Sequence, residues 1–227
     1  MKYTAILAFI LLLPMTIAQA NTPVTEIHQL ARQWAKANYT LHGEAKKHAF
    51  EQLNQQVEAR KQRYPQSAEI WIWSGIIKST YAKVKGGLGA LGYAKQAKAD
   101  LEHAMKLDDS ALSGSAYTCL ATLYYKVPGW PLGFGDDDKA RALFHKALAI
   151  DPNDMNANYF YGRFLIDQNQ LDLAITYLLK ARAQIPEDST DIADQGRLRE
   201  IAKALKKIDR KRQQQTASSG FAFDSHH

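Results

Sequence analysis

A repeat of 34 residues constrains the fold of this chain more than any other feature. Four positions recur at that interval: Ala140, Phe144, Ala147 and Pro152 return as Ala174, Leu178, Ala181 and Pro186. A fixed period of about 20 to 50 residues is typical of repeat architectures, in which each unit buries its apolar face only against its neighbours. The sequence therefore predicts an all-α solenoid built of helical hairpins.

Earlier parts of the chain carry the same pattern in weaker form. Residues 24–40 and 44–63 have apolar residues at helical spacing, which predicts a first hairpin. Gly75 stands ten residues after a proline, as Gly162 does in the later repeat. A glycine at this position lets the paired helix approach closely, because it has no side chain to hold the helices apart.

The residues of these units can be matched to a known family. The third and fourth units contain Tyr117-x2-Leu120-Ala121-x2-Tyr124, Ala140-x3-Phe144-x2-Ala147-x4-Pro152, Tyr161-Gly162 and Ala174-x3-Leu178-x2-Ala181-x4-Pro186. They resemble the tetratricopeptide repeat, W-x2-L-G-x2-Y followed by A-x3-F-x2-A-x4-P. The resemblance covers about residues 22–188 and implies a solenoid of about four helix pairs. Residues 189–213 then predict an amphipathic capping helix that closes the core.

The ends of the chain are predicted to lie outside the repeat domain, which spans residues 21–213. Residues 1–20 combine one lysine, a short apolar run and an Ala-Gln-Ala end, which is typical of a secretory signal peptide. The apolar run is shorter than the roughly 20 residues of a membrane-spanning anchor. We therefore expect a periplasmic or secreted protein. Residues 214–227 are small and polar and are predicted to be a disordered tail.

Two units carry seven extra residues between their helices. Residues 83–92 and 126–135 share Lys, Val and two Gly in register, which predicts a pair of neighbouring Gly-rich loops. The second loop contains three large apolar residues, Trp130, Leu132 and Phe134. Two arrangements are open: these side chains pack over the ends of their own helices, or they form a lid for a ligand.

The sequence contains no arrangement that is typical of catalysis or metal binding. The run Asp136–Asp138 stands where a helix begins, so we interpret it as a helix cap and not as a cation site. The histidines lack metal-binding spacing and Cys119 is the only cysteine. We therefore expect no enzyme activity, no cofactor and no metal.

The family resemblance also implies a binding surface, because the first helices of tetratricopeptide units line a concave face. Carried over by position, this groove set comprises Thr118, Thr122, Tyr125, Lys126, Asn156, Tyr159, Arg163 and Asp167. For Tyr159, packing between the units is the alternative.

The function that follows is protein binding or scaffolding through the groove, with a protein or peptide partner. The alternative is a transport accessory that holds a small apolar ligand beneath the insert loops. The segment 129–148 also resembles, more narrowly, the T component associated with tripartite ATP-independent periplasmic transporters. The basic C-terminal helix is interpreted as a solvated cap, so no nucleic acid is expected, and membrane contact only through a partner.

Overall fold

The computed structural model describes residues 23–224, and the side chains within that range except Leu88 and residues 216–224. This part of the chain is helical. Its helices are α1 (Pro23–Thr40), α2 (Gly43–Arg63), α3 (Ala68–Lys85), α4 (Gly87–Leu107), α5 (Ala111–Lys126), α6 (Asp137–Ile150), α7 (Met155–Asp167), α8 (Leu171–Ala183) and α9 (Ile192–Asp224). The predicted signal peptide lies outside the described residues.

The helices form four hairpins and a terminal helix, as the repeat predicts. Each of α1, α3, α5 and α7 pairs with the helix that follows it, and each also contacts the next odd-numbered helix. The series then closes, because α9 contacts both α7 and α1. The odd-numbered helices thus form an inner ring of five, and the even-numbered helices lie outside it. The hairpins and the terminal helix confirm the predicted solenoid, and its closure into a ring is an additional feature that the sequence does not predict.

The repeated small residues set the spacing within each hairpin. A Cβ placed on Gly75 would lie 2.5 Å from Cγ of Leu101, and one on Gly162 would lie 2.9 Å from Cγ of Leu178. The partner helix occupies the space that a side chain would need. The alanines and large apolar residues that recur with the repeat in the second helices are fully buried: Ala97, Leu101, Ala104, Ala140, Phe144, Ala147, Ala174, Leu178 and Ala181.

The second unit does not contain the loop that its glycines predict. Instead α3 extends to Lys85 and α4 begins at Gly87, so that only Gly86 lies between them. Gly86 and Gly87 both have φ of +61°, a left-handed conformation that suits glycine and turns the chain sharply. The remaining residues of the insert lengthen the two helices, because none of them is a proline that would end a helix.

The third unit does contain an insert loop, which we call the Trp130 loop (residues 127–136). Pro128 and Pro131 exclude a helix here. Backbone bonds hold the loop closed, among them Gly135 N to Pro128 O at 2.9 Å. Phe134 packs edge-on against Tyr124, with ring centroids 5.5 Å apart. The base of the loop is therefore fixed to the helices.

A buried ionic cluster that the sequence pattern does not predict joins α2, α3 and α4. Lys78 Nζ lies 2.5 Å from a carboxylate oxygen of Asp100, and both residues are buried. Ser74 donates to the same carboxylate at 2.6 Å, and Lys61 lies 2.9 Å from its other oxygen. Burial lowers the pKa of Lys78, but its bonds to Asp100 and Glu58 outweigh burial and raise the pKa. The cluster thus keeps its charges paired.

The C-terminal helix runs farther than predicted. It packs Ile201, Ala204 and Ile208 into the core formed by α5 to α8. It then continues to Asp224, through most of the segment predicted to be disordered, and residues 225–227 lie outside the described part. Gln and Ala residues permit this continuation, and proline is absent after residue 186. Within residues 23–224, no helix combines the length and apolarity that crossing a membrane requires.

Candidate binding surface on the inner helices

The groove set lies on two inner helices, α5 and α7, as the family resemblance implies. The structure divides the set by exposure. Thr118 and Tyr159 are buried, at 2 % and 1 % exposed, so a partner cannot reach them without a rearrangement. Thr122, Tyr125, Asn156 and Arg163 are partly exposed, and Lys126 and Asp167 are exposed.

The exposed residues of the set meet around Asp167, at the C-terminal ends of α5 and α7. The Tyr125 hydroxyl donates to the Asp167 carboxylate, and Lys126 Nζ lies 3.3 Å from the same oxygen. Lys207 of α9 lies 2.6 Å from the other oxygen. We call these four residues the Asp167 cluster. One carboxylate thus faces two ammonium groups and a phenol, so the cluster carries a positive excess.

The electrostatics of the cluster follow from these contacts. Burial opposes ionisation of Asp167, but the hydrogen bonds from Lys207 and Tyr125 and the charge of Lys126 prevail and lower its pKa to about 2. Burial raises the pKa of Tyr125, and the bond to Asp167 raises it further. Burial also lowers the pKa of Lys126. The carboxylate therefore stays ionised and the phenol stays protonated at neutral pH.

A second polar cluster is centred on Arg197 of α9. Its Nη2 donates to Asn156 Oδ1 at 2.8 Å, and its Nη1 donates to Glu200 at 2.8 Å. The guanidinium carbon also lies 4.1 Å from the ring centroid of Tyr159. The sequence alternative for Tyr159, packing between units, agrees with this burial under Arg197.

The seam between α1 and α9 is built on one glycine. A Cβ on Gly196 would lie 2.4 Å from the ring of Tyr39, so the ring packs directly on the backbone of α9. The Tyr39 hydroxyl donates to Glu200 at 3.2 Å. Burial raises the pKa of Tyr39 to about 12, and the nearby Glu200 adds to the shift while Arg197 opposes it. The contact that closes the ring is thus tight and partly polar.

Some buried polar atoms of the inner helices have no hydrogen-bond partner in the described part of the chain. They include Thr118 Oγ1 on α5, Asn158 Oδ1 on α7 and Nε of Arg197 on α9. Buried polar groups are usually paired with protein or ordered water. The inner ring therefore retains unused hydrogen-bonding capacity beside its apolar core.

The three apolar residues of the Trp130 loop differ in how far they are buried. Phe134 is partly buried against Tyr124, which agrees with packing over the helix ends. Trp130 and Leu132 are 91 % and 73 % exposed, so neither side chain packs against the core. Two open depressions of about 430 Å³ each lie elsewhere, along α9, and are lined by Asn169, Lys211, Gln214 and Gln215 and by Lys206, Asp209, Arg210 and Gln213.

The acidic run before α6 acts as a cap. The Asp136 carboxylate accepts a hydrogen bond from the Lys139 amide at 3.0 Å, and this bond lowers its pKa. Among the side chains that the structure describes, no group of three His, Cys, Asp or Glu residues is close enough to hold a metal ion. Burial raises the pKa of the Cys119 thiol to about 12, so this thiol is a poor nucleophile.

Four residues that complete these clusters were not predicted: Tyr39, Arg197, Glu200 and Lys207. Three of them lie on α9, which the sequence analysis treated as a cap with a solvated polar face. Gly196 was the available signal, because a glycine inside an otherwise regular helix pattern suggests close approach of another element.

Comparison with known proteins agrees with this architecture. Residues 132–194 match the tetratricopeptide repeat family model. The match begins in the Trp130 loop and covers α6, α7 and α8, where the 34-residue period is clearest. No curated protein matched the chain closely enough to count as a relative. The narrower resemblance to a transporter-associated component stays a prediction. Residues 132–194 thus match the tetratricopeptide repeat, and the four successive helical hairpins with a terminal helix give residues 23–224 a fold that resembles that family.

Proposed function

We propose that this protein is a non-catalytic binding protein that docks a partner protein at the Asp167 cluster. Tetratricopeptide repeats suggest protein–protein interaction or scaffolding. The observation that supports this particular surface is the exposure of a polar, positively charged cluster at the edge of the inner ring. Tyr159 and Thr118, deeper in the groove set, act as support, because they are buried.

The chemistry of the cluster indicates the kind of partner segment that it binds. Lys126 and Lys207 are 46 % and 44 % exposed at their side chains, so an incoming carboxylate can reach both. Tyr125 offers an aromatic surface beside them, a residue type that often anchors interfaces. An acidic segment of a partner would share the two ammonium groups with Asp167.

Affinity capture with matched variants tests this surface. Purified wild-type protein is used to capture partners from an extract of the source cells, alongside Lys126→Glu and the control Lys95→Glu, which reverses an exposed lysine on the outer helix α4. The proposal expects a protein that Lys126→Glu loses and Lys95→Glu retains. Equal capture by all three proteins would show that the partner binds elsewhere.

A second function is favoured by a different observation, the exposure of Trp130 and Leu132. In this case the protein is a transport accessory that binds a small apolar ligand, and the Trp130 loop contacts that ligand as a lid. The exposed faces of Trp130 and Leu132 are the apolar surface that the loop offers to such a ligand. Mass spectrometry of protein purified under native conditions would reveal a retained apolar molecule, and Trp130→Ala should release it.

We also propose that the chain is exported and loses residues 1–20. The lysine, the apolar run and the Ala-Gln-Ala end support this. Sequencing the N-terminus of the protein from cell fractions provides the test. A mature chain that begins at Asn21 outside the cytoplasm agrees with export, whereas an intact N-terminus in the cytoplasm contradicts it.

A further inference from the structure

The positive charge of the chain is concentrated on α9. Between Ile192 and Arg212, this helix carries eight Lys and Arg residues against three Asp and Glu residues, a surplus of five in a chain whose net charge is +6. Charge of one sign on one element calls for an explanation, because most solvated surfaces mix both signs.

The cations of α9 fall into two groups that the structure separates clearly. Those that face the protein each have a partner there: Arg197 pairs with Glu200, Lys207 with Asp167 and Arg212 with Asp172, and Lys211 donates to the Ile166 carbonyl oxygen at 3.0 Å. Those that face solvent are Arg199, Lys203, Lys206 and Arg210, which we call the cationic stripe. Each is exposed, and the ion pairs of the described residues include none of them.

The spacing of the stripe aligns it on one face. Steps of four, three and four residues place successive side chains next to each other along a helix. From Arg199 to Arg210 the stripe spans about 16 Å at the rise of an α-helix. Like charges at this spacing repel each other and weaken the helix. A purely solvating face would avoid that repulsion by alternating the signs.

The exposed neighbours of the stripe indicate its partner. Ala202, Asp209 and Gln213 lie beside it, and none of them is a large apolar residue. Protein interfaces are depleted in lysine and depend on aromatic or arginine anchors in pockets. A straight row of cations without an apolar anchor suits an extended negative surface better. Rows of Lys and Arg on a helix are attracted to anionic lipid headgroups.

We propose that the cationic stripe binds the surface of an anionic phospholipid membrane, as a peripheral and reversible contact. Binding through charge alone requires no insertion of the helix, which agrees with the absence of exposed large apolar residues along the stripe. The sequence predicts membrane contact only through a partner, whereas the stripe provides direct contact. The stripe includes no member of the Asp167 cluster, so the two proposals can fail separately.

Vesicle sedimentation with a matched pair of variants tests the proposal. The full chain is mixed with vesicles of phosphatidylcholine and phosphatidylglycerol in equal parts, or of phosphatidylcholine alone. Lys206→Glu/Arg210→Glu reverses two cations of the stripe. Arg32→Glu/Lys36→Glu is the control, because it reverses one Arg and one Lys at the same spacing on the exposed face of α1. Circular dichroism establishes that each variant is folded.

The proposal expects the wild-type chain to bind the anionic vesicles and to be released by salt. The stripe variant should lower the partition coefficient at least about tenfold, and the control should lower it far less. Equal loss in both variants, equal binding to neutral vesicles, or no sedimentation of the wild-type chain would overturn it. Tighter binding to random duplex DNA than to the anionic vesicles would also overturn it, in favour of a nucleic-acid surface.

Discussion

At the scale of single residues, glycine decides how closely the paired helices approach. Gly162 leaves no room for a Cβ, since one would lie 2.9 Å from Leu178 Cγ and 3.2 Å from the Ala174 carbonyl oxygen. Gly92 lies in α4 with open space around it. The period of the sequence was enough to predict Gly162, because its neighbours recur with it. The positions of Tyr39 and Gly196 could not be predicted in this way, because they meet once, across the ring.

The two glycines should respond differently to the same substitution. Gly162→Val should destabilise the protein by about 1–3 kcal/mol or more, because the added atoms overpack a rigid helix contact. Gly92→Val should change the free energy of unfolding by less than about 0.5 kcal/mol, because the surface site has space and valine is an adequate helix former. Urea unfolding followed by circular dichroism measures both. An equal loss of stability in the two variants would contradict the role of Gly162 in close helix packing.

Asp167 should give the protein a pH-dependent stability. Its pKa in the folded state, about 2, is below its ordinary value of 3.8. Its contribution is therefore present above about pH 4 and is lost as the pH falls towards 2. Because the Asp167 side chain is about one third exposed and solvent screens its ion pairs, we expect a contribution of about 1 kcal/mol or less. Urea unfolding should show Asp167→Asn less stable than the wild type at pH 7, with the difference vanishing near pH 2. Asp209→Asn, at an exposed carboxylate, is the control.

At the scale of elements, the two inserts show where sequence similarity misleads. Residues 83–92 and 126–135 share four positions, yet one adds turns to two helices and the other forms a loop. Two prolines in the second insert forbid a helix, whereas the first insert has no proline and its glycines allow a turn at Gly86 with a helix on either side. The shared glycines were thus less informative than the unshared prolines. The sequence pattern also could not predict that Trp130 is exposed while Phe134 is partly buried, because this difference depends on tertiary contacts.

The Trp130 loop should therefore respond to substitution in a position-dependent way. Phe134→Ala should cost about 2 kcal/mol, less than the ~3–5 kcal/mol of a fully buried phenylalanine, because the ring is only partly covered by Tyr124 and its neighbours. Trp130→Ser/Leu132→Ser should leave stability within about 0.5 kcal/mol, because both side chains lie in solvent. Thermal melting distinguishes the two. A large loss in the double variant would show that the tip packs on the protein.

At the scale of the whole molecule, the inner ring couples the two ends of the chain. Repeat arrays are usually stabilised only by contacts between neighbouring units, so their ends open first. Here α1 is held by α9 as well as by α2 and α3. The contact between α1 and α9 could not be predicted from the sequence, because it depends on the sum of many small rotations between successive hairpins.

Removing the seam contact should release the first helix selectively. Tyr39→Ala should increase hydrogen exchange of α1 and of the first turns of α9, with little change in α5 and α6. The cause is the loss of the ring packed on Gly196 and of the bond to Glu200. Tyr117→Ala, which removes a half-buried tyrosine bonded to Asp109, is the control. Exchange that rises equally throughout the chain would mean that the seam has no local role.

The closed ring has a consequence for how this protein could have evolved in length. In an open array, duplication of one hairpin adds a unit at little cost, and copy number drifts. In this chain an additional hairpin would carry α9 away from α1 and leave Tyr39 and Gly196 without each other. Within residues 23–224, the contact between α1 and α9 therefore favours four hairpins over a larger number. Variation is left to the turns between helices, which is where the two duplicated inserts have diverged.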